Sequence, residues 1–430
     1  MKQQLRAVAR SFAGLELVFI LLGVAPVLLF DAWMPAWAIA AVLAAVPVLW
    51  LVRWVGQGYL TRPTPLEVPI LLLLSMVLVG IWVAPMRMVT LPHVYRIILG
   101  VALFYAMVNT LTTARHIHIV TILVLAAIAA MGGLALVGTQ WSTGKFSLPF
   151  MDAIYARLPA LVGPFWKPAG LGPNSVGGIL AMLSPLPVAY AVGARRWWMK
   201  MASALVALVG CLAVVLSQSR GGILALFVAL LAMGVARSRW FLIVVLLVGL
   251  VGLQVIGLTG IEFMFSGPDS SAALETAAGS LEWRLELWSR ALYLGQDFPV
   301  TGVGLGIFGR AVNLLYPMFE MPPEIPYYHP HNVYLAHLVD GGFPGLVAFV
   351  ALLLLLFAIA VRSIRLSRQG EWWPLAIGLF GALAAFAVHG LFDSITSYIR
   401  AHIVLWGLVG LQTVLWLYLS AQKRSSGLGS

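Results

Sequence analysis

The stretch "YYHPHNVYL" (327–335) sets His329 and His331 on either side of Pro330, with Asn332 next, where a polar segment gives way to an apolar one. A neutral imidazole can take a hydroxyl proton near neutral pH, so His331 is a candidate general base. Two other readings compete with it. Metal ligation through His-x-His is the weakest, because the sequence shows no further nearby ligand and His337 falls on a different helical face. A structural histidine at a membrane surface is the bland alternative. Asn332 can cap a helix beginning at Val333, and that helix, "VYLAHLVD", meets Gly341 and Gly342 before Pro344 restarts an apolar run. His329, on the loop side of Pro330, could orient its neighbour or touch substrate, and Asn332 is a second candidate contact.

Chemistry that deprotonates a hydroxyl usually also has to stabilise charge on a leaving group, and two arginines are placed for that. Arg220 lies in "SQSRGG" (217–222), at the expected start of a helix whose glycines leave the backbone open. Helix N-termini favour anions, and a guanidinium adds a bidentate fork. Snorkelling to lipid headgroups is the competing reading. In "LEWRLELWSRALYLGQ" (281–296), a helical wheel puts Glu282, Glu286, Ser289, Arg290 and Tyr293 in one polar sector. Arg290 there reads as an ordinary solvated charge. Arg284 falls on the apolar side and needs an anionic partner, either an internal acid or a ligand phosphate.

Two glycine-bearing stretches invite a phosphate reading. "TGVGLGIFGR" (301–310) contains a literal G-x-G-x-x-G, but no βαβ unit surrounds it, so it is not a dinucleotide fingerprint. A tight turn is the stronger reading; N–H groups of Gly304 and Gly306 lining a phosphate is the weaker one. In "LGPNSVGG" (171–178), Pro173 and Asn174 read as the stop and N-cap opening a span, with Asn174 a further candidate substrate contact.

The elements that position these residues are membrane helices. The chain is 61% hydrophobic and only 10% charged, far from the usual globular mix. Apolar runs fit about twelve spans, near 13–30, 33–52, 68–84, 94–110, 117–138, 174–192, 201–216, 222–236, 240–258, 345–361, 373–391 and 398–420. The expected fold is all-α and polytopic, organised as 1–258 (nine spans), 259–331 (a large outside loop with short helices) and 332–430 (an interfacial helix and three spans). The loops 139–173 and 259–331 are too long for mere connectors, and the second holds eight of the 15 acids. With both termini cytoplasmic, sixteen of the 26 basic residues fall in the short inside segments. The net charge of +11 then reflects topology and anionic membrane lipids, and gives no argument for nucleic acid. The N-terminal run reads as an uncleaved first helix. Cys211, the single cysteine, rules out disulfides and cysteine metal sites within one chain. The spans carry few ionisable residues, which weakens a transporter reading.

These residues together resemble the O-antigen ligases, which share a superfamily with the O-antigen polymerases. The resemblance rests on His331-Asn332, nine residues through Gly341, then Gly342 and Gly345; on Arg220 in "SQSRGG"; on "PN" at 173–174; on "GVGLG" at 302–306; and on the spans with one large loop. It implies a GT-C-like membrane glycosyltransferase of the Gram-negative inner membrane with its active site facing the periplasm. Such an enzyme moves a glycan from undecaprenyl pyrophosphate onto lipid A-core, without metal or other cofactor. By motif position His331 would be the essential histidine, and Arg220 and Arg284 the donor-pyrophosphate arginines. One base without a paired carboxylate implies inversion at the anomeric carbon. An O-antigen polymerase and a protein O-oligosaccharyltransferase are the near alternatives. A polysaccharide or lipid transporter and a non-catalytic scaffold are the distant ones.

The charge asymmetry sets a first test. A periplasm-sensitive reporter fused near Glu275 should be active and one near Leu366 silent; the opposite pair of results would invert the whole topology.

Overall fold

The computed structural model describes residues 14–30, 36–139, 141, 153–158, 172–237, 239–265, 281–319, 327–368, 370–425 and 427, with Ala9 and Phe12. Its helices are α1 (Glu16–Phe30), α2 (Ala36–Gln57), α3 (Glu67–Val83), α4 (Arg87–Thr110), α5 (Ala114–Gly138), α6 (Pro173–Leu183), α7 (Pro185–Gly193), α8 (Trp197–Leu216), α9 (Arg220–Arg237), α10 (Arg239–Phe265), α11 (Leu281–Asp297), α12 (Phe308–Leu315), α13 (Val333–Leu366), α14 (Trp373–His389) and α15 (Ile399–Ser425). A short 3₁₀ turn, η1 (Ile395–Ser397), precedes α15. Among the described residues there is no β-strand, so the all-α expectation holds.

Among the described residues, eight helical segments are long and apolar enough to cross a membrane, α6 and α7 counting as one. Shorter apolar helices at Glu16–Ala25, Glu67–Val83, Arg239–Gly252 and Trp373–His389 coincide with the other four expected spans. Outward faces carry large apolar side chains such as Leu71, Leu78 and Trp82 on α3 and Leu205 and Leu208 on α8. Faces of that kind suit hydrocarbon and would be an aggregation hazard in water.

Inside, small residues let helices approach. Ala225 and Ala229 of α9 and Ala385 of α14 are fully buried in one cluster where these two helices pack. A β-carbon at Gly222 would lie 3.0 Å from the backbone of Gly177, so the starts of α9 and α6 can meet only as glycines. That contact joins two of the stretches singled out above. The start of α6 differs from expectation in one respect: Gly172 is its N-cap and Pro173 opens its first turn, so Asn174 lies inside that turn. Proline at that position has no N–H to leave unsatisfied and a φ already suited to helix.

The interior is also more ionisable than expected. Glu16 of α1 pairs with the buried Arg53 of α2, and its carboxylate accepts from Trp50 Nε1 at 3.0 Å and Asn109 Nδ2 at 3.2 Å. Arg96, Asn109, His389, Gln412 and His402 are buried as well. Hydropathy averages hide such groups because each span has many apolar neighbours.

Breaking the Glu16–Arg53 pair tests its role in the fold. Glu16→Leu or Arg53→Met alone strands a buried charge and should cost about 3–5 kcal/mol. The double substitution should cost clearly less, as read from thermal unfolding in detergent. Additive losses would show that the two side chains act separately.

Candidate active site

Asn332 holds the centre of the site in place. Its side-chain oxygen accepts from the N–H groups of Tyr334 at 2.9 Å and Leu335 at 3.1 Å, which caps α13 as the sequence suggests. Its amide nitrogen reaches Leu391 O at 3.2 Å, and its own N–H donates to Ser394 Oγ at 3.1 Å. Val333 N–H adds a bond of 2.7 Å to Gly390 O. The end of the long loop is thereby tied to the turn between α14 and η1. His331 sits at that junction with φ +49°, in the left-handed region that a residue with a β-carbon adopts only at a cost of about 1–2 kcal/mol. Gln218, two residues before Arg220, has φ +48°.

The junction brings Asp393 to His331. Oδ1 of Asp393 lies 3.2 Å from His331 Nδ1 and accepts from Ser394 N–H at 2.8 Å. Burial alone would raise the Asp393 carboxyl, but the hydrogen bond with His331 and the favourable electrostatics of the His331, His329 and His389 imidazoles outweigh it. The group stays well below the ordinary carboxylate range and is ionised at neutral pH. An ionised carboxylate only accepts, so His331 Nδ1–H is the donor in this contact. His329 stacks edge-on to His331, with ring centres 4.3 Å apart, and its Nδ1 accepts the His331 N–H at 3.3 Å. Burial, followed by the nearby His331, pushes the His329 imidazole down to about 3, so it stays neutral.

Two cations stand on the Asp393 side. Arg284 of α11 has a buried Nε with no hydrogen-bond partner among the described residues. Its guanidinium pKa is lowered, first by burial; Asp393 opposes that shift and Arg220 adds to it, so all three lie in one electrostatic neighbourhood. Gly221 confirms the approach: a β-carbon there would lie 3.2 Å from Phe392 Cβ and 3.7 Å from His389 Cδ2. Imidazoles from the loop end and from the end of α14, with Arg284 of α11 at longer range, thus gather near one largely buried carboxylate. Such a cluster favours an additional anion.

Other expectations change. Arg290 is not solvated: it pairs with Glu286 at 3.2 Å, donates to Pro317 O at 3.1 Å, and lies 5.5 Å from the Phe319 ring centre. Glu286 also accepts from Phe319 N–H at 2.6 Å. The polar sector of α11 therefore faces the 316–319 segment, while Leu285 and Leu292 are exposed. The wheel assigned polarity correctly and exposure wrongly, because a neighbouring loop covers the polar face.

The glycine stretch is a strut. Gly306 N–H donates to Asp340 Oδ1 at 3.1 Å, Val303 N–H to Val339 O at 2.8 Å, and a β-carbon at Gly304 would lie 3.1 Å from Gly80 O. The Gly306 N–H proposed for a phosphate is already used. Phe343 N–H, freed by the helix break at Gly341 and Gly342, donates to Pro299 O at 2.7 Å. Asn174 lies in the first turn of α6, a helix whose Gly177 meets Gly222 of α9 and whose Gly178 meets His389 and Ile395 beside the junction.

The metal reading also gains what it lacked. His329, His331 and Asp393 present ligand-type atoms all within 4.8 Å of one another. Sequence spacing could not supply Asp393, 62 residues after His331. Its one visible signal was a lone acid in "GLFDSITSYIR", between two apolar runs. Within the trio, however, His331 Nδ1 is engaged by Asp393 and His329 Nδ1 by a backbone N–H.

Residues 205–350 match a family model described as O-antigen ligase, the stretch that holds Arg220, Arg284, the glycine strut, His331 and the helix break. The match covers about a third of the chain and supports the resemblance to the O-antigen ligase/polymerase superfamily. No curated protein matches the chain.

The two arginines of α11 should separate in stability. Arg290→Ala removes charge-assisted bonds and should cost about 1.5–3 kcal/mol, with faster proteolysis at 316–319. Arg284→Ala should leave the melting temperature near or above that of the unmodified chain. Equal losses would make Arg284 a structural tie as well.

Proposed function

We propose that the chain is an O-antigen ligase, transferring a glycan from undecaprenyl pyrophosphate to a sugar hydroxyl of lipid A-core. The observation that carries this reading is the His331–Asp393 pair with Arg284 and Arg220 grouped on its acidic side. In this mechanism Nε2 of His331 takes the acceptor hydroxyl proton as that oxygen attacks the anomeric carbon. The bond from that carbon to the pyrophosphate oxygen breaks, and the leaving pyrophosphate departs toward Arg220 and Arg284. Asp393 holds the imidazole in the tautomer the step requires and stabilises the imidazolium that forms. Direct attack inverts the anomeric centre. The donor is already activated, so the mechanism assigns no step to a metal. The proposal includes twelve crossings, cytoplasmic termini and a periplasmic site in the inner membrane of a Gram-negative cell.

Purified protein with lipid-linked glycan and lipid A-core is the decisive assay. Product should form and persist after chelator dialysis. Chain growth on a second lipid-linked glycan instead would make the protein a polymerase, and metal-dependent activity would make the His329–His331–Asp393 trio a metal centre.

Variants then assign the roles. His331→Ala should lose about two to four decades of rate, and Arg284→Ala or Arg220→Ala about two to three decades. Asp393→Asn should reduce the rate, since the imidazole is then no longer held by a carboxylate in the tautomer the step requires. His329→Ala should retain much of the activity. A well-folded His331→Ala protein that ligates at a near-normal rate would remove the base from this scheme.

A further inference from the structure

A cavity runs beneath the site, and the mechanism above makes no use of it. The cavity lies between α3, α4, α13 and α15. Leu73, Val77, Phe349, Leu352, Leu356 and Val409 make much of its wall apolar. Along α13 the lining residues run from Gly345 to Leu356, roughly 16 Å of helix. Polar groups gather at the other end: Arg96, His337, Asp340, Ser397 and His402. That end adjoins the active site, because Ala336 and His337 follow the capped first turn of α13 and Ser397 closes η1, four residues after Asp393.

Arg96 is the anomaly. It is 8% exposed, lines the cavity, and its Nη1 donates to Ser397 O while its buried Nε has no hydrogen-bond partner. Among the described residues no ion pair joins it to an acid. Asp340 lies on the same wall, but one of its oxygens already accepts the Gly306 N–H. A buried guanidinium with an unused N–H beside an apolar shaft fits a ligand with one anionic, hydrogen-bond-accepting end and one hydrocarbon end. The nearby Asp340 carboxylate disfavours a multiply charged head.

We infer that this cavity is a lipid-chain site separate from the Arg220–Arg284 cluster, taking one hydrocarbon chain of an amphiphile with a singly charged phosphate of its head at Arg96. A membrane phospholipid and one of the enzyme's own lipid substrates share this chemistry. The inference needs only the cavity and Arg96, and so does not depend on the transfer reaction.

The test uses the full chain in nanodiscs with a long-chain alkyl phosphate carrying a photoreactive diazirine at the chain end, and the matching alkyl alcohol. Labels from the phosphate should map to Leu352, Leu356 or Val409. Arg96→Gln should lower phosphate labelling by about tenfold or more and change alcohol labelling little. Val409→Trp, which fills the shaft, should abolish both, while Arg220→Ala and Arg284→Ala should keep both. Labels confined to outward residues such as Leu354, or undiminished labelling in Val409→Trp, would overturn the site. Equal labelling by phosphate and alcohol in the unmodified chain would overturn the role of Arg96 without any variant having to fold. The source follows from kinetics: Val409→Trp raises KM for a lipid substrate if that chain occupies the cavity, and lowers only thermal stability if a phospholipid does.

Discussion

A single, largely buried carboxylate anchors the candidate site. The Asp393 side chain is only 14% exposed, so much of its charge is met by hydrogen bonds and cations drawn from elsewhere in the chain. It receives the Ser394 N–H and the His331 imidazole directly, and Arg284 at longer range. The His331 contact ties the end of the long loop to the turn before η1, and the first turn of α11 brings Arg284 within electrostatic reach. The exchange of bonds between Asn332, Val333 and Ser394, Leu391, Gly390 makes the junction rigid enough to hold His331 in a left-handed conformation.

Arginines show how the same residue type divides by surroundings. Arg53 and Arg290 each meet a carboxylate within ion-pair distance and act as ties. Arg284 and Arg96 are also largely withdrawn from water, but among the described residues no ion pair joins either to an acid. A protein that needed those charges only for folding would do better with apolar residues of similar volume. Guanidiniums without an ion-pair partner, one near Asp393 and one beside an apolar cavity, are therefore better suited to ligands than to stability.

The helix break in α13 links the two regions. Gly342, with φ +63°, turns the chain where a β-carbon would collide with the backbone at Pro299 and Val300. The glycine strut at 302–306 fills the gap and takes up the hydrogen bonds that the break releases. Residues before the break present His331 above, and residues after it wall the cavity below. A stretch that reads as a nucleotide motif is thus explained by the backbone geometry of a kink.

Much of this was legible in the chain itself. Apolar runs specify helices in membrane because no other local structure satisfies the backbone there, and each expected span coincides with an observed helix. The cap at Asn332 and the break at Gly341–Gly342 follow from local rules of capping and backbone freedom, and rules of the same local kind single out His331, Arg220 and Arg284 as candidates. Asp393, Arg96 and the true setting of Arg290 do not. Their meaning depends on neighbours 62, 301 and 27 positions away, and periodicity reports only which face of a helix a residue occupies, not what covers that face. The sequence determined which side chains could do chemistry. Packing alone decided which charges were left unanswered, because desolvation and pairing are properties of a position in space.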